Sequence, residues 1–211
     1  MKYTVEQLNA LELNSGDIGA TQGNFPMGNL QQLIFTPSTD RYHFLLVLAK
    51  NKANEICHFL HLPLIKGTWA AVESIGRGVT VSELTKYAGT DIKFYRVDCD
   101  EEIRKKAPVK LAGYSRSGYD YKLFIRLLLR IVALEWKSLF TTGRLRKLEA
   151  REMPCDTDSE FICTEGADEG YDDAGYHLLP INVLGIPSAF KEAELAGRME
   201  EITLWGRGRG C

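Results

Sequence analysis

With 211 residues, 45% of them hydrophobic, the chain is long enough to bury one core, and it is expected to fold as a single domain over 1–211 with 205–211 as a flexible tail. A net charge of −2 removes bulk charge as a reason to expect nucleic acid or an anionic membrane as the main partner. Five cysteines, odd in number and irregularly spaced (57, 99, 155, 163 and 211), speak against a disulfide framework and for free thiols in a reducing compartment.

The N-terminal stretch lacks the continuous apolar segment of a secretory signal, so export by that route is not expected. "LNSGDI" (13–18) sets a Ser-Gly-Asp turn before an apolar residue, as where a chain enters a strand. The Gly-, Asn- and Pro-rich stretch 19–40 reads as a loop carrying a helical turn. "RYHFLLVLAK" (41–50) is a short apolar run with polar ends, hence a strand, with His43 on the face of Leu45 and Val47. "TWAAVESI" (68–75) reads as a second strand carrying Glu73 on the face of Ala71 and Ile75. Thr80 to Glu83 has the form of a capping box and predicts a short helix to about Ala88. "DIKFYRV" (91–97) alternates as a third strand, and a helix perturbed by Pro108 is expected from Asp100 to about Leu111.

A long helix follows over 120–140; Arg126, Arg130 and Glu135 make it a packed helix and no membrane span. Thr157 to Glu160 repeats the capping-box form and predicts a helix with Cys163 in its first two turns. Strands flanked by helices predict an α+β fold with a small, largely antiparallel sheet packed against helices. The charges are segregated. From Arg104 to Arg151 there are thirteen Lys/Arg and three acids, and from Glu152 to Asp173 nine acids and no Lys or Arg. Two solvated faces account for this, or else a surface for a charged polymer or lipid headgroup.

Three roles are open for Cys163: a buried small hydrophobe, a metal ligand, or a nucleophile. A helix N-terminus favours the thiolate, whereas the surrounding acids disfavour it. A carboxylate at Glu73, between Ala71 and Ile75 on a face due to be buried, needs a partner, and a histidine would serve. "CHFLH" (57–61), read as extended chain, is a poor zinc site without a second ligand pair. "DTDSEF" (156–161) fails as a calcium loop, with Phe161 at its sixth position and Ala167 at its twelfth.

In order along the chain, "SGDI" (15–18), "YHFLLVL" (42–48), "AVESIGRGVTVSELTKYAGTDIKFYRV" (71–97), "GYDY" (118–121), "FICTE" (161–165) and "LLPINVLGIPSAF" (178–190) resemble the circularly permuted papain-like hydrolases, the YiiX-like branch of the NlpC-type cysteine peptidase and amidase superfamily. The resemblance implies a permuted papain-like fold, with Cys163 as nucleophile, His43 as general base and later acid, and Glu73 orienting the imidazole. It puts Thr164 where members usually carry Ser, and the bulky Tyr42 where a small polar residue often precedes the histidine, both at the substrate's acyl pocket. It implies a thiol hydrolase cleaving an amide bond through an acyl-enzyme, in peptidoglycan peptide or a related N-acyl substrate, with no metal or organic cofactor required. A wall substrate without a secretory signal fits an enzyme cytoplasmic at synthesis that is phage-encoded or virion-associated. Two other expectations stand beside it: a lipid-directed acyltransferase or amidase of the same fold, and a catalytically silent binding or phage structural module.

Overall fold

The computed structural model describes residues 1–22, 41, 43–75, 78–115, 129, 133, 163–180 and 187–202. Its centre is a six-stranded sheet in which every neighbouring pair is antiparallel. In chain order the strands are β1 (Ile18–Thr21), β2 (His43–Ala49), β3 (Trp69–Ile75), β4 (Gly78–Glu83), β5 (Ile92–Val97) and β6 (Met199–Glu201), and across the sheet they run β4-β3-β2-β1-β5-β6. The helices are α1 (Val5–Ala10), α2 (Lys50–Leu60), α3 (Glu101–Gly113), α4 (Cys163–Asp173) and α5 (Pro187–Leu195), with a 3-10 turn at Leu84–Tyr87. The fold is α+β, as the order of elements predicted.

Both faces of β2 are covered, which is why "FLLVL" is continuously apolar. Period-two alternation sends Phe44, Leu46 and Leu48 to one face, where they pack with Ala107 and Leu111 of α3, Ala167 and Tyr171 of α4 and Phe190 of α5. Leu45 and Val47 go to the other, with Leu8 of α1, Leu84 of the 3-10 turn, Ile92 and Phe94. Small residues let α4 lie close. A Cβ on Gly170 would come within 2.9 Å of both the Ala107 carbonyl and the Leu46 side chain.

The Ser-Gly-Asp turn that precedes β1 is a joint for four elements. Ser15 Oγ accepts a hydrogen bond from the Ala49 N–H at 3.1 Å. Gly16 donates its N–H to the Val47 carbonyl, and Val47 returns its own to the Asp17 carbonyl, both at 2.8 Å. The buried Asp17 carboxylate takes two guanidinium bonds from Arg96 of β5, at 2.9 and 2.8 Å, and the Asn14 N–H at 2.7 Å. Tyr171 of α4 donates its phenol to the Gly16 carbonyl at 2.6 Å. Gly16 has φ of +92°, and a Cβ there would stand 2.2 Å from the Arg104 carbonyl oxygen of α3. That carbonyl is the one to which Pro108, four residues on, has no N–H to give.

Two expectations are corrected. Thr80 to Glu83 is no helix start: Thr80 pairs with Glu73 inside β4, and only the 3-10 turn follows Glu83. The β-branched run Val79, Thr80, Val81 suits a pleated strand better than a first helical turn. "CHFLH" is helical, not extended. Cys57 points into the core, where burial pushes its thiol up, while His58 is exposed and His61 caps the helix in the left-handed region at φ 57°. The absent capping side chain at Ala49 hid α2, and the Thr4–Gln7 capping box that opens α1 also went unread. The expected helix over 120–140, apart from the helical positions 129 and 133, lies outside the described residues, as do the Thr157–Glu160 signature, 156–161 and the tail.

Candidate active site

β2 and β3 carry the first two residues of the site. Their register sets Leu46 against Val72, so His43 and Glu73 fall one diagonal step apart on the same face. His43 Nε2 lies 2.6 Å from Glu73 Oε2. Tyr87 OH joins the pair, 2.9 Å from His43 Nε2 and donating to the same Glu73 oxygen. The other carboxylate oxygen, Oε1, accepts from Ser82 Oγ at 3.1 Å and from the Lys86 ammonium.

Glu73 is fully buried, His43 about one-fifth exposed and Lys86 somewhat more than one-third. Burial alone pushes the Glu73 carboxyl up. The hydrogen bond and charge of His43, followed by those of Lys86, outweigh it and hold the group at about 2. The site therefore contains a buried, ionised carboxylate with both oxygens occupied, one of them against an imidazole. Such a group fixes the ring's orientation and stabilises positive charge on it.

Of the expected site residues, the structure brings His43 and Glu73 together. Cys163 is the first residue of α4 as described, on a helix packed against the opposite face of the sheet through Ala167 and Tyr171. The Cys163 and Thr164 side chains, and Tyr42 altogether, lie outside the described residues. Ser82, Lys86 and Tyr87 were missed, because reading Thr80–Glu83 as a helix start hid both the strand beside Glu73 and the turn that follows it. The usable signal was the β-branched run Val79, Thr80, Val81 ahead of Ser82 and the Lys86-Tyr87 pair.

The acids of α4 carry less charge than their number implies. Burial first, then Asp172 and Glu169, push Asp168 up to about 7 against the opposing Leu179 N–H bond (3.2 Å) and His177. Burial, then Asp173 and Asp172, likewise raise Glu169. Because Asp168 titrates higher folded than unfolded, its protonated form favours the fold, and that contribution disappears as pH rises from about 4 through 7. Asp168→Asn keeps an acceptor for Leu179 and removes the buried charge. Its melting curve should show a gain of about 2 kcal/mol over wild type at pH 8, less than the full shift implies because the side chain is partly open to water, and no gain at pH 4.

Among the described residues no three His, Cys, Asp or Glu side chains converge to hold a metal ion, and no helix is long and apolar enough to cross a membrane. The chain matches no family model and no curated protein. Among solved structures it is similar to the crystal structure of metalloprotein yiiX from Escherichia coli O157:H7, with TM-score 0.55 and 14% sequence identity over 91% of this chain and 97% of that one. The likeness is one of fold and covers nearly the whole of both chains.

Proposed function

We propose that this chain is a cysteine hydrolase of the permuted papain-like, NlpC-type kind, cleaving an amide bond through an acyl-enzyme. The observation that carries the reading is the buried, ionised Glu73 bonded to His43 Nε2. In this reading Nε2 is committed to the carboxylate, so Nδ1 takes the Cys163 thiol proton. The thiolate attacks the amide carbon, the imidazolium returns the proton to the leaving amine, and His43 then activates the water that releases the acid. Peptidoglycan peptides and N-acyl amino acids are the substrates to try first.

Limiting iodoacetamide near neutral pH, with site-resolved mass spectrometry, tests the assignment. Burial pushes the Cys57 and Cys99 thiols up, which makes them slow internal references. Cys163 should react about tenfold faster or more, and His43→Ala should abolish that lead. Equal reactivity, or indifference to His43, would make Cys163 a structural cysteine and end the hydrolase reading.

A further inference from the structure

The Glu73 carboxylate is divided between two basic groups. Oε2 faces the His43 imidazole and the Tyr87 phenol, and Oε1 faces Ser82 and the Lys86 ammonium. A buried carboxylate facing an imidazole alone draws a proton onto the ring and holds it there, since an opposite charge at that range favours the charged form. A histidine meant to exchange protons would then be fixed in one state. A second cation on the far oxygen competes for the same negative charge.

Lys86 is built into that position. Its ammonium reaches a carboxylate that is itself fully buried, and it lies 5.1 Å from the centroid of the Tyr87 ring, which stacks in turn on the His43 imidazole at 6.1 Å and 29°. We propose that Lys86 is a charge-balancing positioning residue: by sharing Glu73 with His43 it lets the carboxylate orient the imidazole without locking the ring in its cationic form. This deepens the hydrolase reading and rests on it for its purpose, although its readout needs no turnover.

The described titratable groups touching the His43–Glu73 pair are Lys86 and Tyr87 from the 3-10 turn. From β4 the contact is uncharged Ser82, and from β1 Thr21 lies opposite His43. Arg41, two positions before His43, pairs with Asp91, which also holds the Met1 ammonium.

The test is an imidazole carbon–proton NMR titration of all four histidines in wild type, Lys86→Gln, Lys86→Met and Lys86→Arg. The exposed His58, His61 and His177 serve as references for intact folding. Lys86→Gln keeps a hydrogen-bond donor for Glu73 and loses the charge. The titration midpoint of His43 should rise by about one pH unit, a tenfold change in protonation, in both Lys86→Gln and Lys86→Met, and stay at the wild-type value in Lys86→Arg. No movement in Lys86→Gln, or movement in Lys86→Met alone, overturns the proposal by assigning the lysine a packing or hydrogen-bonding role. Should Lys86→Met fail to fold, the Gln and Arg variants decide. The same shift is expected in a Cys163→Ala background; its loss there would assign the effect to the thiol and overturn the proposal. Cys163 alkylation that ignores His43 would sink the hydrolase reading and leave this titration result standing, so the two failures are distinguishable.

Discussion

Glu73→Ala is expected to lower the stability of the fold by about 3 kcal/mol at pH 7 and to reduce kcat/KM of the proposed hydrolase by about two orders of magnitude. The stability figure has two independent sources. Removing one partner of a buried ion pair costs about 3 to 5 kcal/mol, here at the low end because Lys86 can turn to water. A carboxyl held at about 2 instead of 4.5 corresponds to a similar amount. The sign of the pH dependence follows. The folded-state value is depressed, so the stabilisation is present above about pH 4.5 and lost as pH falls towards 2. Urea unfolding of wild type and Glu73→Ala should therefore differ most near neutrality and converge in acid. Glu73→Gln, which keeps the shape but cannot hold the charge, should lose activity almost as fully while recovering part of the stability. A variant as stable as wild type at pH 7 would mean that the four contacts to Glu73 contribute nothing net.

Gly16→Ala should cost at least about 4 kcal/mol, a large share of the 5 to 15 kcal/mol that a domain typically has. The backbone there is in the left-handed region, and the added methyl would meet a main-chain carbonyl of α3 that no side-chain rotation can move aside. Nor can the turn retreat freely, since its N–H and carbonyl are bonded to Val47 and Tyr171. Gly175→Ala isolates the steric component. Gly175 has φ of +96° but nothing within 4 Å of a Cβ, so it should lose only the conformational cost of about 1 kcal/mol. Chemical denaturation of both variants gives the comparison, and equal losses would show that the turn yields and is no rigid joint.

These two residues also mark how far the sequence could be read. The strand over 43–49 was legible because its apolar run is short and ends in polar residues, 69–75 by its apolar, β-branched composition bounded by turn residues, and 92–97 by its alternation. Glu73 was legible as a carboxylate in need of a partner, since burial of a charge is costly whatever surrounds it. What sequence could not supply was who shares the carboxylate. Lys86 and Tyr87 reach it because β4 pairs with β3 and then turns, and the Thr-x-x-Glu pattern at Thr80–Glu83 serves a strand end as readily as a helix start. Asp17 was noticed only as a turn residue. Its partner Arg96 is 79 positions away, and no local pattern announces a bond across that interval. The α2 helix was hidden for a local reason, an uncapped start directly after a strand, with Ala53 and Cys57 as its buried residues.

The Tyr171 phenol on the Gly16 carbonyl joins residues 155 positions apart. Closing a flexible loop of that length costs about 4 kcal/mol in chain entropy, whereas one hydrogen bond returns about 1 kcal/mol net. The bond therefore cannot be what draws α4 onto the sheet. Burial of Ala167, Tyr171 and the apolar face beneath them supplies that free energy, and such burial has no direction and tolerates sliding. A directional contact such as this one limits where along β2 the helix stops. Apolar burial docks the helix, and the phenols of Tyr171 and Tyr114 align it, one against the sheet and one against the end of α3.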